Sequence, residues 1–262
     1  MQTNHTRERL SRGETVFGCS LTCFRSAEIP RTFAAAGFDY VFIDMEHGAF
    51  DLETVQDMIH ASVAAGITPI VRVCELLYSL AARLLDAGAQ GIILPRVEDP
   101  RLLQEALSWM RFPPEGKRGY GVSGPMVDYE PHSFPEIIEH QNRNTLVVVQ
   151  FETTAAMERA DELLSLRGVD IAMVGPADLS IALGIPGQFD HPLLISTVEG
   201  LMEKCRRHHV VPGIQTRTVA MAKAWAERGM RFVGAGAEHG LLLEKARETV
   251  ALLRAVKVPS LA

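Results

Sequence analysis

The stretch Phe42–Phe50 reads FIDMEHGAF, and it begins as a buried strand does, with Tyr40, Val41, Phe42 and Ile43. It then presents Asp44, Glu46 and His47 within four residues. An apolar strand that ends in carboxylates and an imidazole can deliver proton-transfer groups to a site. His47 with Asp44 beside it fits a general base whose ring is held by a carboxylate; the plainer reading is a solvated loop histidine. Glu46 could cap the following helix or bind a nearby amide. Arg72 lies between Val71 and Val73 in PIVRV, and a guanidinium in an apolar run is seldom left without a carboxylate or an anion. It could steady an enolate oxygen or form a structural salt bridge.

In LVVVQFET, Gln150 and Glu152 share one face of their strand. An unpaired carboxylate there is costly, and a divalent cation would compensate it. Asp178, in VGPADLS, follows 26 residues later, one strand–helix unit along the chain. Paired carboxylates with open positions match a hard cation, Mg²⁺ or Mn²⁺ with Co²⁺ as a further candidate. The competing reading pairs Glu152 with Arg72 and makes Asp178 an N-cap. In Gly175-Pro176-Ala177-Asp178 a strand passes into a helix, whose free N–H groups near Ala177 and Asp178 suit a substrate carboxylate.

These groups need a scaffold that collects strand ends. Apolar runs are expected as strands at Val16–Ser20, Tyr40–Asp44, Thr68–Val73, Gly91–Leu94, Leu146–Phe151, Asp170–Val174, Val211–Ile214 and Phe232–Ala235. Most lack period-2 alternation, as parallel strands buried on both faces do. Amphipathic segments at Leu52–Ala65 and Leu76–Ala87 both end in Ala-Gly, where glycine can take the left-handed cap position. Such a repeat argues for a (β/α)8 TIM barrel, and residues 1–262 read as one domain. Active sites of such barrels lie at the C-terminal strand ends, where Ser20, Thr22 and Gln215 also fall. The Pro- and Gly-rich segment Arg111–Pro135 breaks the rhythm and is expected over that face.

Composition narrows the partners. A net charge of −6 without a basic stripe speaks against nucleic acid, and no apolar run is long enough for a membrane span. The N-terminus lacks a signal-peptide core, and Cys19, Cys23, Cys74 and Cys205 follow no zinc spacing, so reduced thiols and a cytoplasmic location are expected. The segment GAGAEHG (Gly234–Gly240) lacks the lysine of a phosphate loop and reads as a tight turn into the last helices.

The ordered set FIDMEHG, PIVRV, LLDAGAQGIILPRVE, PPEGKRGYG, VQFET and GPADLS resembles the HpcH/HpaI family of class II 2-oxo-acid aldolases, which is related to citrate lyase β-type proteins. The likeness spans about residues 10 to 255. It implies a barrel assembled as a homohexamer, a trimer of dimers with the last helix exchanged. It implies a divalent metal on Glu152 and Asp178, Arg72 at the pyruvate oxygen, and Gln150 beside the metal. Gly175, Pro176, Ala177 and Asp178 would hold the pyruvate carboxylate. His47 with Asp44 would relay the substrate hydroxyl proton, and Asp86 would approach a neighbouring subunit's site. The implied reaction is cleavage or formation of a 4-hydroxy-2-oxo acid from a 2-oxo acid and an aldehyde.

After KRGYG the sequence departs from the family pattern, with VSGPMVDYEPH and no arginine until Arg143. Condensation of acetyl-CoA with oxaloacetate, as in citrate formation for siderophore assembly, is therefore a second reading. A non-catalytic 2-oxo-acid-binding barrel is a third.

Overall fold

The computed structural model describes residues 1–122, 124–127 and 129–256. Its strands β1 (Val16–Leu21), β2 (Tyr40–Asp44), β3 (Thr68–Arg72), β4 (Gly91–Leu94), β5 (Leu146–Phe151), β6 (Ile171–Val174), β7 (Val211–Thr216) and β8 (Phe232–Ala237) pair in chain order, all parallel. Pairing of β8 with β1 closes the barrel. Every expected strand is present, with ends shifted by at most two residues. The fold is a (β/α)8 barrel. Its reading as one domain over residues 1–262 extends to 257–262, which lie outside the described residues.

Helix α1 (His5–Ser11) precedes the barrel, and helices α2 (Glu28–Ala35), α3 (Leu52–Ala64), α4 (Tyr78–Asp86) and α5 (Pro100–Trp109) follow the first four strands. The chain continues through α6 (Phe134–Asn144), α7 (Thr154–Glu158), α8 (Ala160–Leu164), α9 (Pro176–Ala182), α10 (Pro192–His208), α11 (Val219–Glu227) and α12 (Glu238–Arg254). Gly66 and Gly88, just past α3 and α4, take φ values of +75° and +104°. Glycine alone does so freely, so each helix stops where the next strand must begin.

Two apolar layers hold the structure. The larger lies between the sheet and the helices, where Val55 and Ile59 of α3 and Leu84 and Leu85 of α4 are buried. The smaller fills the barrel with Tyr40, Phe42, Ile70, Ile93, Val148, Met173 and Phe232, and Leu10 of α1 packs into it. With the interior filled below, the polar C-terminal strand ends gather at the mouth.

The described residues of segment 111–135 do not lie over that mouth as expected. Helix α5 first returns the chain to the opposite face, where Arg111 donates to the carbonyl of Thr145, just before β5. From there Arg118 reaches Asp86 at the end of α4, and the N–H of Gly119 donates to Tyr78.

Candidate active site

Strand register brings Asp44 beside Arg72 at the ends of β2 and β3. Arg72 donates from Nε to Asp44 Oδ1 at 2.9 Å and from Nη2 to Oδ2 at 2.7 Å. This planar two-point match is what a guanidinium makes with a carboxylate. Nη1 lies 3.3 Å from Gln150 Oε1 and 3.0 Å from Glu46 Oε2, the latter out of line for a hydrogen bond. Burial opposes the guanidinium's charge, but the hydrogen bonds and charge of Asp44, with Glu46 and Glu152, outweigh it and raise the Arg72 pKa.

The expected dyad of His47 and Asp44 takes a different form. Asp44 Oδ1 accepts from the backbone N–H groups of Glu46 and His47, at 3.0 and 3.3 Å, and not from the imidazole. Arg72 takes one site on each carboxylate oxygen, and the turn's amides take the remaining capacity of Oδ1. The His47 ring is exposed at the cavity. Gly48 is required in this turn, since a Cβ would stand 2.2 Å from the Asp44 carbonyl oxygen.

Glu152 is buried just past β5. Its Oε1 accepts the N–H of Arg96 at 3.1 Å, and its Oε2 accepts Gln150 Nε2. Desolvation, then the negative charges of Glu46 and Asp178, raise its pKa against the opposing Gln150 bond and Arg72 charge. Glu152 therefore does not pair directly with Arg72, whose ion-pair partners are Asp44 and Glu46. Nor is Asp178 an N-cap: Gly175 holds that position and Asp178 is the third residue of α9. A Cβ on Gly175 would sit 2.8 Å from Glu152 Oε2 and 2.9 Å from Gln150 Nε2. Only glycine lets the β6–α9 turn approach that pair.

A cavity of about 390 Å³ at the mouth is lined by Asp44, His47, Arg72, Gln150 and the turn Gly175–Asp178. Ser20, Gln215, Thr216 and His239 also line it. Ser20 and Gln215 were legible as strand ends, whereas Thr216 and His239 were not: β7 runs two residues further than its apolar run, and His239 sits in a segment that reads as a plain turn. A second cavity, of about 360 Å³, lies on the opposite face between His60, Gln90, Met126 and His140, and among the described residues no carboxylate lines it. Asp86 is absent from the mouth. It holds Arg118 at 2.7 Å, and that buried guanidinium stacks over Phe112.

Asp44, Glu46 and Glu152 thus act on a single guanidinium, and Asp178 adds its negative charge beside Glu152. Glu152 and Asp178, with Gln150 alongside, form an all-oxygen donor set that could hold a hard divalent cation. Among the described residues no helix is long and apolar enough to cross a membrane.

Residues 23–244 match the HpcH/HpaI aldolase/citrate lyase family. The chain is 33% identical over 257 residues to a hydroxypyruvate/pyruvate aldolase of Roseobacter denitrificans, covering 95% of this chain and 96% of that one. It belongs to the HpcH/HpaI aldolase/citrate lyase family. It is a carbon–carbon lyase of the class II aldolase type. Among solved structures, the HpcH/HpaI aldolase from Desulfitobacterium hafniense DCB-2 superposes with a TM-score of 0.90 at 30% identity, covering 96% of this chain and 97% of that one. The citrate synthase SbnG superposes with a TM-score of 0.83 at 28% identity, covering 97% of each chain.

Proposed function

We propose that this aldolase joins pyruvate, or a related small 2-oxo acid, to an aldehyde through an enolate, and cleaves the resulting 4-hydroxy-2-oxo acid. A divalent cation, Mg²⁺ or Mn²⁺, is held by Glu152 and Asp178. The observation that carries this reading is the surplus of buried negative charge at the barrel mouth, which keeps Glu152 reluctant to ionise. A cation relieves that surplus. Its chemistry there is that of a Lewis acid beside the keto and carboxylate oxygens of the substrate.

The chain's own residues do the rest. Arg72, locked by Asp44 and Glu46, keeps a fixed positive charge where the enolate oxygen develops, so little reorganisation is needed as the charge forms. The N–H groups of Ala177 and Asp178 receive the substrate carboxylate. His47, exposed at the cavity, takes the hydroxyl proton in the cleavage direction. Among the described residues no lysine lines the cavity, which speaks against a Schiff base. The name of the Roseobacter relative supports a small 2-oxo acid as the nucleophile.

The assembly we propose is a homohexamer, a trimer of dimers with α12 exchanged; the apolar residues that α12 leaves exposed support it. Asp86, steadied by Arg118, would then meet a neighbour's site. Free cysteines suit the cytoplasm.

Pyruvate release from a 4-hydroxy-2-oxo acid tests the reading. EDTA should abolish it and Mn²⁺ restore it, and Glu152→Gln should lose Mn²⁺ binding by electron paramagnetic resonance. Full activity in EDTA would sink the cation assignment. The likeness to citrate synthase SbnG favours a second reading, acetyl-CoA condensation with oxaloacetate. Free thiol released from that pair, with no aldol cleavage, would replace the first.

A further inference from the structure

The turn after β1 and the turn that opens α12 meet at the rim of the cavity. There Cys23, Glu238 and His239 bring a sulfur, a carboxylate oxygen and an imidazole nitrogen within 4.8 Å of one another. We infer that this triad is a second metal site, for a soft divalent transition cation such as Zn²⁺, separate from the all-oxygen set of Glu152 and Asp178.

The carboxylate is built in advance. Glu238 is buried, and its Oε1 accepts three backbone N–H groups, those of Thr22 at 2.9 Å, Cys23 at 2.5 Å and Phe24 at 3.1 Å. Burial works against its charge, but these amides overcome it and leave its pKa below the ordinary value, so it is ionised at neutral pH. The other oxygen, Oε2, is turned towards Thr22 Oγ1 at 3.3 Å and His239 Nδ1 at 3.7 Å. Among the described residues no lysine or arginine lies within ion-pair distance of it. A buried carboxylate oxygen whose neighbours are one long hydrogen bond and an imidazole nitrogen at 3.7 Å is short of partners.

The hydroxyl of Thr22 marks the centre of the group. Its Oγ1 touches Glu238 Oε2, His239 Nδ1 at 3.2 Å and Cys23 Sγ at 3.8 Å. One hydroxyl has a single proton to share among three acceptors. A cation entering here takes over all three contacts. Cys23 and His239 are exposed, so the approach is open.

The donor types choose the metal. Thiolate and imidazole favour Zn²⁺ over Mg²⁺, and three protein ligands leave the fourth tetrahedral position free. Since His239 also lines the cavity, that position lies at the rim where substrate enters.

Co²⁺ makes the site visible, because a thiolate ligand gives it a charge-transfer band in the near ultraviolet that oxygen ligands do not. The full chain is saturated with Mg²⁺, titrated with Co²⁺, and the Co²⁺ then displaced by Zn²⁺. We expect one band-forming equivalent per chain. Glu152→Gln should keep the band, Cys23→Ser should abolish it, and His239→Ala should weaken affinity by roughly tenfold or more. Cys23 and His239 are exposed, and circular dichroism checks that both variants fold. The inference is overturned if the wild type gives no band, if the band depends on Cys74 instead of Cys23, or if both variants bind like the wild type.

Discussion

Glu152 links burial to pH. A cation needs its carboxylate ionised, and its pKa is raised by desolvation and by the charges of Glu46 and Asp178. Cation binding therefore competes with a proton at higher pH than at an ordinary glutamate. As pH falls through that raised value, Mn²⁺ affinity should drop by roughly tenfold per pH unit, with one proton displaced per ion bound. Mn²⁺ titrations across mildly acidic pH, read by electron paramagnetic resonance, check this. An affinity that stays flat down to the usual glutamate range would mean that Glu152 is not a ligand. At this scale the residue types were legible and their pairing was not. Asp44, Arg72, Gln150 and Glu152 announced themselves as polar groups on apolar strands. That Asp44 serves Arg72 and not the His47 ring depends on the register of β2 on β3, which residue types alone do not fix.

Elements carry a different lesson. Strands were readable almost to the residue because glycine ends the preceding helix and apolar residues start the strand. Segment 111–133 was readable as a loop but not as to its side of the barrel, which depends on where α5 turns the chain back. Helix α12 was readable as a helix, and its exposed face is informative. Leu242, Ala246, Val250 and Leu253 recur at intervals of four, four and three, the period of a packing stripe, and the three larger of them are exposed. Leu242 is 59% and Leu253 66% exposed. In the helix-exchanged assembly proposed above they would be buried against a partner. The double variant Leu242→Glu, Leu253→Glu should lower the mass found by light scattering from that of a hexamer to a smaller species. The melting of the barrel helices should change little, because neither residue packs on them. An unchanged mass would refute helix exchange as the glue of the assembly.

At the scale of the whole molecule, the barrel separates stability from chemistry along its axis. In the lower half, Tyr40 and Phe232 stack at 4.1 Å with an angle of 13°, both fully buried. They fit only because Gly18 lies in register with Tyr40 and presents no side chain: a Cβ there would come within 2.2 Å of the Tyr40 ring. Two residues further along β2, on the same face, Phe42 supports the Arg72 guanidinium at 5.1 Å and borders the cavity. Gly18→Ala should thus overpack the lower layer and cost about 1–3 kcal/mol of stability, seen as a lower denaturant midpoint. The ring cannot yield towards Phe232, which it already touches, so the strain must go into the backbone of β1. Strain relieved there should not reach the mouth, where Arg72 is fixed by Asp44 and Glu46 and Glu152 by Gln150 and the Arg96 amide. Mn²⁺ affinity of the folded variant should stay within about twofold of the wild type, a difference of roughly 0.4 kcal/mol. If Gly18→Ala instead weakens cation binding as much as it weakens the fold, the two layers are mechanically coupled and the filled lower half is part of the site.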